Sequence, residues 1–187
     1  MTHKELDKFL DFLDINDCWI FTMRTAEVYF QEDPNTLRHS LARHVRNEAI
    51  IRLARGLYAN LRSKAMPLYA LEDMVRYLRP LNTSYLSQES RLSELSVISQ
   101  VPTRLTVMTT GRSQIFNTPI GTIELTHTNR KLSNCQDFLK YDRHRNIFVA
   151  SPKTALDDLR NAKRNMGLVD FDEYEIAQEE WESQENS

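Results

Sequence analysis

The chain has 187 residues, of which 41% are hydrophobic and 27% charged, with a formal net charge of −2 at pH 7. This composition is typical of a soluble chain with one or two domains and a buried core. The N-terminal stretch is charged throughout, and no segment has the ~20 apolar residues that span a bilayer. We therefore expect neither a signal peptide nor a membrane contact, and a cytoplasmic location.

The first predicted elements are two short helices separated by an extended segment. Thr2 and Glu5 have the spacing of a capping box, which predicts a first helix ending near Asp14. The stretch around Trp19 is expected to be extended, with the indole in the core. Thr22 is the expected N-cap of a second helix, which supplies apolar surface and ends in a tight turn.

A third helix is predicted from Pro34 onward. Asp33 is a favourable N-cap, and proline is well tolerated at the first helical position. Leu37, Leu41 and Val45 recur at helical spacing and define an apolar face. The opposite face carries polar and basic side chains: Asn35, Thr36, His39, Arg43 and Arg46. A short helix with this surface, after a helix and a turn, resembles the recognition helix of a helix-turn-helix.

The segment after this helix predicts a small hairpin. Residues 50–55 begin with two β-branched residues and have basic residues interleaved. Gly56 permits a tight turn, and residues 57–59 can return as the partner strand. A helix-turn-helix followed by a hairpin is a winged helix, in which Arg52 and Arg55 are placed to reach phosphates.

Charge is concentrated in the same part of the chain. Between Pro34 and Lys64 there are seven Arg or Lys residues and one acidic residue, a local charge of about +6. Such a basic patch is typical of a nucleic-acid site, and a solvated surface face is the alternative interpretation.

From about residue 66 the pattern changes to a mixed α/β domain. Helices are expected near residues 71–78, 87–95 and 152–159, an antiparallel meander over 104–128, and a further strand at 147–150. Eight acidic residues and no Arg or Lys follow from Asp170, which predicts a solvated or disordered tail. The predicted fold is α+β: a winged helix-turn-helix domain (1–62), a mixed α/β domain with a small antiparallel sheet (66–169) and an acidic C-terminal tail (170–187).

Cysteine and histidine residues give no pattern of a metal site. Cys18 and Cys135 are far apart, and each is expected to be a buried free thiol. The histidines are dispersed along the chain: His3, His39, His44, His127 and His144. Because no motif of a nucleophile elbow, phosphate-binding loop or zinc protease is present either, we expect no cofactor, no metal and no enzymatic activity.

Six segments carry a resemblance to a known family: IIRLARGLY (50–58), YLSQES (85–90), ISQVP (98–102), LTVMTTGRS (105–113), GTIELTH (121–127) and ASPKTALDDL (150–159). In this order they resemble the AbiEi-like antitoxins, which are type IV antitoxins of the AbiE abortive-infection family. The similarity covers roughly Trp19 to Leu159.

The resemblance implies an antitoxin of a phage-defence toxin–antitoxin system. Such a protein would bind double-stranded DNA at inverted repeats in its own promoter, repress its operon, and counteract a cognate nucleotidyltransferase-like toxin. Direct contact with the toxin, and dimeric or cooperative binding on DNA, are left open. Two alternatives are a stand-alone winged-helix regulator whose second domain senses a ligand or dimerises, and an enzyme that modifies the toxin or its nucleic-acid target.

The predicted DNA-binding residues are Thr22, Arg24, Asn35, Thr36, Arg38, His39, Arg43, Arg46, Arg52 and Arg55. Arg43 and His39 are expected to read base edges, and the polar residues of the first helical turn to contact bases or phosphate. Arg46, Arg52 and Arg55 would hold the DNA backbone. The start of the second helix, with its threonine cap and arginine, is placed where a helix N-terminus can meet a phosphate.

Overall fold

A computed structural model describes residues 1–130 and 137–185, which form two compact units. The first unit contains Met1–Ala70 with the short segment Thr118–Ile120, and the second contains Leu71–Asn117 and the residues from Gly121 onward. Helices and strands occur in both units, so the predicted α+β class is confirmed. Cys135 lies outside the described residues. None of the described helices is both long and apolar enough to cross a membrane.

The first unit is built, in chain order, from α1 (His3–Ile15), β1 (Ile20–Thr22), α2 (Met23–Phe30), α3 (Pro34–Arg46), β2 (Ile51–Ala54) and β3 (Leu57–Ala59). Its strands form an antiparallel sheet in which β3 lies between β1 and β2. Helix α1 begins with the predicted capping box, since Thr2 N donates to Glu5 Oε2 at 2.6 Å and Glu5 N donates to Thr2 Oγ1 at 3.3 Å. Thr22 caps α2 as predicted.

Side chains from all three helices and from the sheet fill one core in this unit. Phe9 of α1 meets Phe21 of β1 edge to face, with ring centroids 5.0 Å apart. Trp19 is buried, as predicted. The expected apolar surface of α2 is wrong at Val28, which is 62% exposed. Val28 lies about 200° around the helix from the buried Ala26, whereas the half-exposed Tyr29 ring packs on Phe9 of α1 with centroids 4.8 Å apart.

The cysteine of this unit also differs from expectation. Cys18 is a free thiol, but it is only partly buried and its Sγ donates to Asn16 O at 3.2 Å. The thiol lies just after the end of α1, where side chains are half in solvent.

The second unit contains α4 (Ala70–Leu78, whose first residue belongs to the first unit), β4 (Ser84–Leu86), α5 (Gln88–Glu94), β5 (Leu105–Thr109), β6 (Gln114–Thr118), β7 (Gly121–His127), β8 (Leu139–Asp142), β9 (Ile147–Ala150), α6 (Pro152–Asn161), a 3-10 turn (Met166–Leu168) and α7 (Phe171–Glu185). The sheet order is β6-β7-β5-β4-β9-β8. The β5/β7 and β4/β9 pairs are parallel, and the β4/β5 and β8/β9 pairs are antiparallel.

The predicted antiparallel meander is therefore wrong, because β5 and β7 run parallel with β6 at the sheet edge. Alternation of side chains along β5 predicted a strand, which is confirmed, and all five of its residues are buried. A strand covered on both faces has no polar side to show. The prediction also missed β4 and β8, which have three and four residues and so no readable period.

The acidic C-terminal segment is a helix rather than a solvated tail. In α7, Tyr174 is partly buried while Ala177 and Trp181 are buried, a spacing that places them on one face. The Lys140 Nζ lies 3.9 Å from the centre of the Trp181 ring. The acidic residues lie around this narrow apolar face, which explains why charge alone suggested no packing.

A buried carboxylate joins β4, α6 and the end of the segment after β7. Asp158 is 3% exposed, and its Oδ2 accepts hydrogen bonds from Tyr85 Oη at 3.0 Å and Ser87 Oγ at 2.8 Å. Its Oδ1 accepts from Arg130 Nη2 at 3.1 Å. Burial, followed by the Asp158 charge, raises the pKa of Tyr85 above its usual range, so the phenol stays a donor.

Candidate nucleic-acid interface

Helix α3 separates a buried face from an exposed polar face. Leu37, Ser40, Leu41 and His44 are buried, whereas Val45 is only partly so. The predicted contact residues of this helix are all exposed: Asn35, Thr36, Arg38, His39, Arg43 and Arg46. The helix therefore presents amide, hydroxyl, imidazole and guanidinium groups along one surface, which are the groups that bind base edges and phosphates.

The N-terminal end of α3 is already occupied by an acidic cap. Asp33 Oδ1 accepts from the backbone amides of Asn35 and Thr36 at 2.9 and 3.0 Å, and the Thr36 amide bond is the largest cause lowering the pKa of Asp33. A carboxylate at this position repels phosphate. Asn35 Oδ1 accepts from Arg38 Nη1 at 3.1 Å, which leaves the Asn35 amide Nδ2 pointing outward for a base edge.

The C-terminal half of α3 presents two arginines, one of which is hydrogen-bonded within the described chain while the other is not. Arg43 Nη2 donates to Met1 O at 2.6 Å, which fixes one end of its guanidinium against the start of the chain. Arg46 makes no hydrogen bond or ion pair with any described residue. Arg43 is therefore positioned before any ligand arrives, and Arg46 is free to follow a phosphate.

The hairpin and the start of α2 lie side by side. Met23 N donates to Gly56 O at 2.8 Å, so the hairpin turn is bonded directly to the first residue of α2. Gly56 has φ +73°, which a residue without a Cβ adopts readily. This backbone bond joins the turn that carries Arg55 to the first turn of α2, which carries Arg24 with its side chain 82% exposed. Predicted residues from two segments are thus brought together.

Other predicted residues near the hairpin are partly occupied within the chain. The Thr22 hydroxyl caps α2 by accepting from Thr25 N at 3.0 Å, so it serves the helix first. Arg52 Nε donates to Ala54 O at 3.2 Å, across the bulge in β2. Arg24 pairs weakly with Glu27 at 3.5 Å. Arg55 has no partner among the described residues.

The buried side of α3 contains an imidazole that the sequence pattern did not mark. His44 is 3% exposed, and both ring nitrogens are buried without a hydrogen-bond partner among the described residues. Its ring stacks on His3 of α1 with centroids 5.9 Å apart. Burial is the largest cause that lowers the pKa of His44, and the charges of Arg43, His3 and the N-terminal amine act in the same direction.

Acidification is therefore expected to destabilise the packing of α1 on α3. Because the pKa of His44 is lower in the folded chain than its ordinary value of about 6.5, the unfolded chain binds the proton more readily, so stability falls as pH drops below about 6.5, by at most ~1.4 kcal/mol per pH unit. Urea unfolding between pH 7.5 and 5.5 measures this slope. His44→Leu should reduce it, whereas His39→Leu, at an exposed position of the same helix, should keep it. Equal slopes in both variants would contradict the assignment.

Comparison of the chain with models of protein families matches none of them. Comparison with curated proteins finds no relative of significant similarity either. Among the described residues there is no group of three or more His, Cys, Asp or Glu side chains able to hold a metal ion.

Proposed function

We propose that the chain is a DNA-binding repressor of its own promoter, with α3 in the major groove and the β2–β3 hairpin on the backbone. The observation that carries this proposal is the exposed polar face of α3, with Arg43 held in place at one end and the hairpin arginine beside α2. Major-groove recognition uses a helix with this kind of surface.

The order of elements in the first unit supports a winged helix. Three helices and a three-stranded sheet alternate as α1-β1-α2-α3-β2-β3, with β3 central in the sheet, an order expected for that fold. Helices α2 and α3 would form the helix-turn-helix, joined by residues 31–33, and the hairpin would be the wing.

The distribution of charge supports an orientation in which α3 and the hairpin face the DNA. Asp7, Asp11 and Asp14 of α1 line one cavity, and none of the exposed basic side chains of α3 or the hairpin lines it. DNA would approach the basic residues of α3 and the hairpin and be repelled by this acidic cavity. Binding should consequently weaken steeply as salt rises, because each neutralised phosphate releases counterions.

The second half of the proposal is that the protein is an antitoxin of the type IV, AbiEi-like class. It rests on the resemblance of the six segments described above, two of which supply Tyr85 and Asp158 to the buried network of the second unit. The proposed role is to counteract a nucleotidyltransferase-like toxin encoded next to it, with or without direct contact.

Promoter binding is tested by a mobility shift of the purified full chain on its own upstream region and on scrambled DNA, at two salt concentrations. Preference for the native fragment and a steep salt dependence are expected. Equal, weak binding to both fragments would overturn the repressor proposal.

Co-expression with the neighbouring gene tests the antitoxin half. Promoter binding without relief of toxicity would favour a stand-alone regulator.

Arg55→Ala is expected to weaken binding to native and scrambled DNA about equally and to reduce the salt slope by roughly one unit. The reason is that Arg55 lies exposed on the hairpin turn and has no partner in the described part of the chain, as expected of a phosphate contact. Titrations at several salt concentrations measure both effects. An unchanged affinity and slope would remove the hairpin from the interface.

A further inference from the structure

A cavity of about 330 Å³ lies in the second unit, between α5, the loop entering β5, and the segment after α6. Its charged wall contains Glu89, Arg104 and Arg164, and its apolar wall contains Ile98, Val101 and Leu168. The volume is at the lower end of the range of about 300–1,000 Å³ for ligand pockets, which suits a small metabolite rather than a nucleotide.

The charges of this wall alternate in sign. Arg104 Nη1 donates to Glu124 Oε2 at 3.0 Å, and Arg164 Nη2 donates to the other oxygen of Glu124. Arg164 Nη1 then lies 3.6 Å from Glu89 Oε2, beyond hydrogen-bonding distance. In order, this row of charges is Arg104, Glu124, Arg164 and Glu89. It therefore begins with a guanidinium and ends with a carboxylate.

Both ends of the row, Glu89 and Arg104, have hydrogen-bonding groups that are not used by other described residues. Glu89 Oε2 is buried beside Arg164, whereas Glu89 Oε1 is accessible and accepts no hydrogen bond from any described residue. An ammonium that enters the cavity and donates to this accessible carboxylate oxygen would gain a charge-assisted hydrogen bond. At the other end the Arg104 side chain is 45% exposed and uses only Nη1 within the described chain, which leaves other N–H groups for an acceptor.

These ends select a ligand of mixed charge. A simple cation would be repelled by the two arginines, and a simple anion by Glu89. Beside them, Val101 and Leu168 are 87% and 37% exposed, which offers an apolar surface for the ligand to cover. We propose that the cavity binds a small zwitterion of the α-amino-acid class with an apolar side chain. Its ammonium would donate to Glu89 and its carboxylate accept from Arg104.

Calorimetric titration of the full chain with L-leucine tests this proposal. The controls are 3-methylbutan-1-amine, which lacks the carboxylate, and 4-methylpentanoate, which lacks the ammonium. We expect saturable one-to-one binding of leucine, or of a better apolar amino acid from a panel. Each truncated analogue should bind about tenfold or more weakly, as expected for loss of a charge-assisted hydrogen bond. No binding across the panel, or equal binding of leucine and either analogue, would overturn the proposal.

Glu89→Gln should weaken leucine binding by about tenfold or more, since the ammonium loses its charged acceptor. Glu94→Gln is the matched control, because Glu94 lies on the same helix and outside the cavity lining while also pairing with arginines. Far-UV circular dichroism checks that both variants fold. Val101→Ser, at an exposed rim position, provides a second test that leaves the charged row intact and should also weaken binding. Wild-type affinity in both Glu89→Gln and Val101→Ser would overturn the site.

Discussion

Replacing Arg43 with alanine is expected to weaken binding to the promoter by about 1–3 kcal/mol and to relax the base preference at one position. The side chain is exposed on the polar face of α3, while its Nη2 is fixed by Met1 O. A guanidinium held at one end keeps its other N–H groups in a defined direction. Such a group reads a base edge with less loss of side-chain entropy than a free arginine.

The measurement is a set of titrations with the native site, single-base variants of it, and random DNA. Loss of discrimination at one base pair, with random DNA bound nearly as before, is the expected pattern. If Arg43→Ala weakens all fragments alike, Arg43 contacts a phosphate instead.

Arg62→Ala is the matched control for this experiment. Arg62 belongs to the same basic stretch of sequence and is also exposed, but it lines the cavity that contains Asp7, Asp11 and Asp14. Removing it should change affinity by little, and the remaining change should vanish at higher salt. A loss as large as that of Arg43→Ala would mean that net charge, and not position, determines binding.

Most of the elements of the first unit could be predicted from patterns of neighbouring residues. The capping box at Thr2, the Asp33–Pro34 start of α3 and the glycine turn at Gly56 each depend on residues a few positions apart, so the sequence shows them directly. The bond from Arg43 to Met1 and the bond from Met23 to Gly56 join distant positions. No pattern along the chain could reveal either one.

The second unit was harder because its organisation is mostly non-local. Parallel pairing of β5 with β7 depends on which strand takes the sheet edge, and residue alternation does not specify this. Helix α7 was not predicted because its sequence is mostly acidic, and only a few apolar residues, such as Ala177 and Trp181, pack it against the unit. Arg164 contacts both Glu89 and Glu124, and these three residues come from separate parts of the sequence that no motif connects.

The largest single effect on stability is expected from Asp158→Ala. The carboxylate is buried and accepts from Tyr85, Ser87 and Arg130, so its removal leaves a guanidinium and two hydroxyl groups without their partner. Breaking a buried pair in this way costs about 3–5 kcal/mol. Urea unfolding of the full chain measures the loss. Hydrogen exchange should show lost protection in β4 and α6, while α3 keeps its own.

Asp157→Ala separates this network from a general effect of charge on α6. Asp157 is the neighbouring residue, its side chain is 40% exposed, and it pairs with Arg160 at 3.3 Å. An exposed pair of this kind contributes little, so the variant should stay within about 0.5 kcal/mol of the wild type. Similar losses for the two variants would contradict a special role of Asp158. A large loss for Asp158→Ala alone, with promoter binding retained, would mean that the network stabilises the second unit without contributing to DNA recognition.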